Sequence, residues 1–488
     1  MKILFANPPR TIDNGDGTET VTIVAGSRWP HSFKRKKGTP IGYSPFPLYM
    51  AYAAAMVSAD ADCQVFVRDS IAMDEKETDF LRYVAEVQPD ILFFEPATPT
   101  IEQDIEICRK LKSLHPKLVI FAGGIHSSGL HKETRELAGN AIDCYILGEY
   151  EAGILEAIAA YRRGSIPETA TAAFDFRKAP WPARHLFPTN GAPDFKCYHD
   201  GFISKQPSAT LHASRGCITH CDFCTEISLI EKKLNFRAAT DICDEIEMLA
   251  SKGIKEVYFD DSIFTGSKRH VMDFCEEMIK RGLPKKISWS AMCGFMGPTD
   301  EALLTKMAES GCVGVKFGID SSSESVLKEI GKPLKVEKIA ELCRVCNRLG
   351  IKCHGTLAIG HFADNEQTIR KTLEFAKTIT CDTMQFSTVT PYPGTPLFEK
   401  LKQAGRLRTL NWREFNGLGS SVIIWQNGLS AEQLQSLIKK GESDWLHTMM
   451  KRPGWWLRQF RFFTRSLPSQ GMPLVVRRAQ QVYSAVTN

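Results

Sequence analysis

Three thiols on one short loop constrain this chain more than any other feature. In Ser214-Arg215-Gly216-Cys217-Ile218-Thr219-His220-Cys221-Asp222-Phe223-Cys224 they are spaced CxxxCxxC and directly follow an extended, apolar segment. Iron–sulfur clusters are held by cysteine thiolates, usually four, so a three-cysteine loop leaves one iron of a four-iron cluster to another ligand. The competing reading is zinc, which needs a fourth Cys or His at short spacing from a paired motif. His220 lies inside the loop, but one residue before Cys221 its side chain tends away from a metal that the thiols share.

The same loop resembles the signature of the radical S-adenosylmethionine (SAM) superfamily, with Phe223 as the aromatic residue before the third cysteine. The resemblance implies a 4Fe–4S cluster on Cys217, Cys221 and Cys224 and SAM chelated to the open iron, with Phe223 beside it. It further implies an external electron donor such as flavodoxin or ferredoxin, whose electron cleaves SAM to a 5′-deoxyadenosyl radical.

A chain of 488 residues with 43% apolar content is long enough for two or three packed domains. Its 15 cysteines are odd in number and scattered through apolar segments, and no charged-then-apolar leader precedes them. These features predict a reducing compartment, the cytoplasm. No apolar run reaches the roughly 18 residues expected of a membrane-spanning helix.

Residues 1–160 alternate fully apolar strand candidates (Lys2–Ala6, Cys63–Arg68, Ile91–Glu95, Leu118–Ala122, Cys144–Leu147) with amphipathic segments (Leu48–Ser58, Glu77–Val87, Ile101–Leu114). That rhythm predicts an α/β doubly wound parallel sheet, with ligands at the carboxyl ends of its strands. The order of Asn7-Pro8-Pro9, Gly123-Gly124-Ile125-His126-Ser127-Ser128 and Leu147-Gly148-Glu149-Tyr150-Glu151 resembles the cobalamin-binding domain found ahead of many radical SAM domains. The resemblance implies cobalamin contacts from Asn7, Pro8, Thr98, Gly123, Gly124, His126, Gly148 and Glu149. No DxHxxG motif is present, so cobalt is expected to lack a histidine ligand and the corrinoid to be held by backbone and hydroxyl groups. The paired glycines after a buried strand would permit close backbone approach to a bulky ligand. A domain that keeps this fold without cobalamin is the alternative.

Residues 10–43 fall outside the regular pattern as a long insertion rich in Gly, Thr and charge. Loops longer than about 12–15 residues are usually functional or disordered. The order WPHS, basic cluster Lys34–Lys37, then Tyr43-Ser44-Pro45-Phe46-Pro47 resembles an insertion carried over the cobalamin in some members of this class. Arg28, Trp29 and His31 are accordingly candidate lid residues.

Residues 161–207 read as a proline-rich linker. Within it, Ala179-Pro180-Trp181-Pro182-Ala183-Arg184-His185 resembles the linker of cobalamin-type radical SAM proteins related to anaerobic magnesium-protoporphyrin IX monomethyl ester cyclase. Residues 208–400 then repeat six βα units, from Ala209–Ser214 to Thr383–Thr388, expected to form a partial (β/α)6 radical SAM barrel with functional groups at strand carboxyl ends. By resemblance, Asp260, Asp261 and Ser262 end the second strand where the family accepts hydrogen bonds from the SAM amino group, a role that suits an ionised carboxylate. Asp320 stands where relatives often place a longer Glu against ribose, and Gly355 and Gly360 bound the strand that passes adenine. The ordinary alternative for each acidic position is a helix cap or surface turn. Cys343, Cys346 and Cys353 admit an auxiliary cluster, but only three thiols are close, and small buried thiols on and beside a helical segment are the favoured account. Thr390-Pro391-Tyr392-Pro393-Gly394-Thr395-Pro396-Leu397 resembles the exit of this class of barrel, with Tyr392 a candidate substrate contact.

Residues 401–488 form a helical C-terminal extension. After Asp444 no acidic residue occurs, while seven basic ones (Lys451, Arg452, Arg458, Arg461, Arg465, Arg477, Arg478) interleave with Trp455, Trp456, Leu457, Phe460, Phe462 and Phe463. The whole chain is formally +5, so the basic character is local. Such a segment over 451–478 fits peripheral contact with the inner membrane face, or a helix docking its aromatics on the barrel. Nucleic acid fits less well without a recognition fold. Together these readings describe a cobalamin-dependent radical SAM enzyme, with methyl transfer to an unactivated carbon of a lipid-like, isoprenoid or polyketide small molecule expected first. Oxidative cyclisation or rearrangement is the second reading, and a non-catalytic cluster- and corrinoid-binding sensor the third.

Overall fold

The computed structural model describes residues 1–24, 30–39, 41, 44–188, 198, 202–226, 234–417, 422–426 and 428–465. Arg28, Trp29, Arg477 and Arg478 lie outside them.

Strand β1 (Lys2–Asn7) opens the chain, and its Ile3, Leu4, Phe5 and Ala6 are wholly inaccessible to solvent. Side chains buried on both faces of a strand require layers above and below it. After a small antiparallel sheet, β2 (Thr11–Asp13), β3 (Thr18–Ile23) and β4 (His31–Lys36), come β5 (Gln64–Asp69), β6 (Ile91–Phe94), β7 (Val119–Ala122), β8 (Cys144–Ile146) and β9 (Thr169–Ala170). Six of these form a parallel sheet in the order β5-β1-β6-β7-β8-β9. Helices Leu48–Ser58 and Tyr150–Arg162 pack on one face, with Ile3, Phe5, Phe93 and Phe121, while Glu77–Val87 and Ile101–Leu114 pack on the other, with Leu4, Leu92 and Ile120. This is the doubly wound layer arrangement expected. Full burial of each such Phe, Leu or Ile stabilises by about 1.5–3 kcal/mol.

One expectation is corrected. Residues 10–43 are not wholly an irregular insertion, because β2–β3–β4 pair antiparallel from Thr11↔Val21 to Ile23↔His31. Thr18-Glu19-Thr20-Val21-Thr22-Ile23 carries the β-branched enrichment of a strand, and Val21 and Ile23 pack with Ile71.

The second unit comprises β10 (Ser208–Leu211), a short antiparallel pair β11 (Ser214–Arg215) and β12 (Asn235–Phe236), then β13 (Glu256–Phe259), β14 (Ser288–Cys293), β15 (Cys312–Gly318), β16 (Lys352–Ile359) and β17 (Thr383–Thr388). Strands β10-β13-β14-β15-β16-β17 run parallel in that order, an open six-stranded barrel wall. Its helices begin and end on local signals. Asn365 caps Glu366–Thr378 through Thr368, and Gly350, at φ 74°, closes Val336–Leu349 with a left-handed residue.

The linker is stapled to both units. Ala183 N–H donates to Ala51 O at 3.0 Å, and Arg184 donates to Thr210 O at 2.6 Å and to Glu245 at 3.0 Å. Beyond the barrel, helix Ala431–Met450 packs on Glu366–Thr378, and a last helix over 453–465 follows.

Candidate active site

The cysteine loop is held from three sides. Asp222 N–H donates to Ile330 O at 3.0 Å, Leu397 N–H donates to Asp222 O at 2.9 Å, and Gly331 approaches His220 O so closely that a Cβ there would lie 2.9 Å from it. Gly216, at φ 95°, supplies the left-handed residue that turns the chain out of β11. Cys217 Sγ lies 3.1 Å from Thr219 Oγ1, and Cys221 Sγ lies 3.7 Å from the same hydroxyl, so two of the three sulfurs converge on one point.

Asp260, Asp261 and Ser262 do not act as one group. Asp261 is turned inward: one oxygen accepts from Ala213 N–H at 2.9 Å, the other from Ser214 N–H at 2.7 Å and from Ser214 Oγ. It fixes the backbone immediately before the cysteines, which differs from the ammonium acceptor expected at that position. Ser262 donates to Glu226, and Asp260 faces a cavity.

That cavity runs from the barrel lumen to the other unit. Phe223 of the cysteine loop lines it with Asp260 and Asp320, while Tyr258, Lys316 and His354 line it within the lumen, and His31 and Tyr392 line it from above. His31 belongs to β4, so both units meet at this space. Tyr392 donates to Pro30 O at 3.1 Å, Asn416 O accepts from Ser32 N–H at 3.1 Å, and a Cβ on Gly129 would fall 2.7 Å from Pro393 O. Gly355 lies on β16 and Gly360 just beyond its end, where Gly360 N–H donates to Asp364 at 3.0 Å.

Sequence reasoning passed over four contributors. Lys332 makes a buried ion pair with Asp320, which itself holds φ 62°. Burial opposes the Lys332 ammonium, yet Asp320 and Cys221 outweigh it and leave its pKa raised. Burial also pushes the Cys221 thiol up, an effect that Lys332 opposes. His361, wholly buried with neither ring nitrogen hydrogen-bonded, sits 5.0 Å from the Phe223 ring. Lys316 had a readable signal, since it interrupts an otherwise apolar strand, whereas His354 shares its strand with Lys352 and Thr356 and had a weaker one. Lys332 had none, because it follows a glycine in an ordinary-looking turn.

At the carboxyl ends of the first sheet, Asn7 is spent within the protein, donating to Asp69 at 3.0 Å and accepting from Arg10 at 2.6 Å, and Pro8 beside it is buried. Gly123 and Gly124 make room for side chains: added Cβ atoms would lie 2.9 Å from Phe93 and 2.4 Å from Glu95. Gly148 N–H donates to Ser128 Oγ at 3.0 Å. His126 Nδ1 lies 3.1 Å from Thr98 Oγ1, with Trp412 edge-on to its ring, and burial lowers its pKa to about 4, which keeps it neutral. Glu149, pushed up to about 7 by burial although Arg215 opposes this, lies 3.1 Å from the Arg215 guanidinium.

Comparison with known proteins agrees with this architecture. The radical SAM superfamily model matches residues 211–376, and the B12 binding domain model matches residues 38–158. The chain is 26% identical over 419 residues to an uncharacterized methyltransferase of Pyrococcus horikoshii, covering 82% of this chain and 87% of that protein. It is 24% identical to the anaerobic magnesium-protoporphyrin IX monomethyl ester cyclase of Cereibacter sphaeroides, over 85% of this chain and 66% of that one. With the hopanoid C-3 methylase of Methylococcus capsulatus it shares 25% identity, over 70% and 66% of the two chains. The radical SAM methyltransferase TsrM of Kitasatospora setae, solved with cobalamin and a [4Fe-4S] cluster, superposes with a TM-score of 0.65 at 18% identity, covering 96% of this chain and 99% of that one. The fold and site thus define an enzyme that joins a corrinoid-binding sheet to a radical-generating barrel. The chain thus carries a radical SAM domain over residues 211–376 and a B12 binding domain over residues 38–158.

The cofactors of that class are a 4Fe–4S cluster, SAM and cobalamin. Among the described residues no three Cys, His, Asp or Glu side chains form a preassembled metal cage. The triad fits a cluster by its donor set, three thiols on one braced loop. The extra thiols Cys343, Cys346 and Cys353 lie in the barrel's apolar core, and Cys343 Sγ is 3.8 Å from Cys381 Sγ. For a corrinoid rimmed with amides, the Thr98–His126 pair and the buried Ser127 hydroxyl, which has no partner among the described residues, offer neutral hydrogen-bonding groups.

Proposed function

We propose that this enzyme transfers a methyl group to an unactivated carbon of a lipid-like, isoprenoid or polyketide substrate. When bound, the cluster and SAM supply a 5′-deoxyadenosyl radical and cobalamin supplies the methyl group. The observation that carries the reading is a cavity lined by both Phe223 of the cysteine loop and His31 of the first unit, a space that groups held by the two units would share.

The chain's own residues hold and shield the reactants. Cys217, Cys221 and Cys224 ligate the cluster, and Asp260 accepts from the SAM ammonium. Asp320, fixed by Lys332, faces the nucleoside with Phe223, Gly355 and Gly360. On the other side Asn7, Pro8, Thr98, Gly123, Gly124, His126, Gly148 and Glu149 would hold the corrinoid. Tyr392 and His31 close the cavity over the substrate. Cytoplasmic flavodoxin or ferredoxin provides the electron. The names of the hopanoid and Pyrococcus relatives support methylation, and that of the cyclase relative keeps oxidative ring formation as the second reading.

Turnover with methyl-labelled SAM tests this. Label in the product is expected, and product without label would replace methylation by cyclisation or rearrangement. Absence of any SAM cleavage by the reduced, reconstituted protein would leave a cluster- and corrinoid-binding sensor instead.

A further inference from the structure

The helix over 453–465 is apolar on two faces, and the barrel covers one. On the covered face Trp455 and Phe462 are buried, Trp455 Nε1 donates to Asp382 O at 3.1 Å, Arg458 donates to Asp382 Oδ1 at 2.7 Å, and Arg465 donates to Gly350 O at 3.3 Å. Asp382 immediately precedes β17 and Gly350 lies two residues before β16, so the helix docks at the amino ends of the strands, opposite the cysteine loop. It is therefore no greasy entrance to the active site. Its other face leaves Trp456 47%, Leu457 73%, Phe460 67% and Phe463 39% exposed. At about 100° per residue the three aromatics fall within roughly 60° of one another. A helix on the surface of a soluble protein ordinarily turns polar residues outward there.

We infer that this face seats the enzyme on an anionic lipid surface. Charge decides the occupant: no acidic residue occurs between Asp444 and Arg465, only Arg458 of the basic residues meets a carboxylate of the barrel among the described residues, Arg452 and Arg465 reach backbone carbonyls with their charge uncompensated, and Lys451 is exposed just before the helix. Bulky aromatics on one side and a basic flank are what an interfacial helix needs to bury its rings at the headgroup boundary while anionic lipid draws it in. The inference is independent of the methylation reading, since it concerns attachment at the far end of the barrel.

Cosedimentation of the reconstituted full-length enzyme with phosphatidylglycerol and phosphatidylcholine vesicles tests it. Binding is expected to the first, weaker at high salt, and at least about ten-fold weaker for the combined Trp456→Ser, Phe460→Ser, Phe463→Ser variant. SAM cleavage measured without vesicles should be unchanged in that variant, which separates failure of attachment from failure of catalysis. Equal binding to both lipids, no binding by the unsubstituted enzyme, or undiminished binding by the variant would each overturn the inference. So would self-association that disappears in the variant, which would make the occupant a second copy.

Discussion

Arg215 Nη1 lies 3.1 Å from Glu149 Oε1 and also pairs with Glu151, which joins the residue two places before Cys217 to the segment that follows β8 of the other unit. The guanidinium is enclosed by Tyr49 and Phe176, with centroids at 4.4 and 4.9 Å. Burial disfavours the Arg215 cation, but Glu151 more than restores it and holds its pKa above the ordinary value. The cysteine loop is therefore positioned from the B12-binding domain.

Removing one partner of a buried ion pair leaves the other charge uncompensated. Glu151→Ala leaves Arg215 with Glu149 as its remaining carboxylate, so it should cost less than the about 3–5 kcal/mol of a fully broken buried pair. Hydrogen exchange at residues 211–216 should accelerate accordingly, and the double variant with Arg215→Met should recover part of the loss, because the two residues act as one pair. Unchanged exchange in Glu151→Ala would contradict this coupling.

Asp261 holds the backbone of Ala213 and Ser214 from the carboxyl end of β13. Hydrogen bonds to a charged acceptor contribute about 1.5–3 kcal/mol each. Asp261→Ala should therefore loosen the approach to Cys217 and lower the iron retained after anaerobic reconstitution, while corrinoid retention stays unchanged. Metal analysis and absorption on the same sample check both.

The bond from Tyr392 to Pro30 O fastens the edge of the β2–β4 sheet to the barrel exit. Tyr392→Phe deletes only that hydroxyl, at a cost of about 1 kcal/mol. Limited proteolysis within residues 11–36 should quicken by about five-fold if cleavage follows local opening.

Burial pushes Glu95 up to about 7 against a hydrogen bond from Tyr150 at 3.1 Å. Its ordinary value is 4.5, so between about 4.5 and 7 the folded chain holds more protons at this site than the unfolded one. Its contribution to stability therefore falls as pH rises through that window. Glu149 has the same sign, whereas the lowered pKa of His126 contributes the opposite slope below about 6.5. Thermal melting of Glu95→Gln should vary less between pH 5.5 and pH 8 than that of the unsubstituted protein.

The alternating rhythm of apolar runs was enough to read both sheets, because strands buried on two faces leave uninterrupted sequences such as Ile91-Leu92-Phe93-Phe94. Helices Leu48–Ser58, Glu77–Val87, Ile101–Leu114 and Val336–Leu349 fall where the helical pattern placed them. The β2–β4 sheet was not recognised, because Gly and charged residues at its turns obscured a β-branched strand. Within the site the difficulty is tertiary. Neither the inward turn of Asp261 nor the pairing of Arg215 with Glu151, 64 residues apart, leaves a local trace. The glycine pair was read as room for a ligand, and only the fold reveals that Phe93 and Glu95 also stand against it.

An anaerobic absorption spectrum of the reconstituted protein and of its Cys221→Ala variant tests the central claim most directly. The account predicts that the unsubstituted chain carries iron–sulfur and corrinoid bands together, and that Cys221→Ala loses the first while keeping the second. Cluster absorbance that survives the substitution, or an unsubstituted chain that retains no corrinoid, would contradict it.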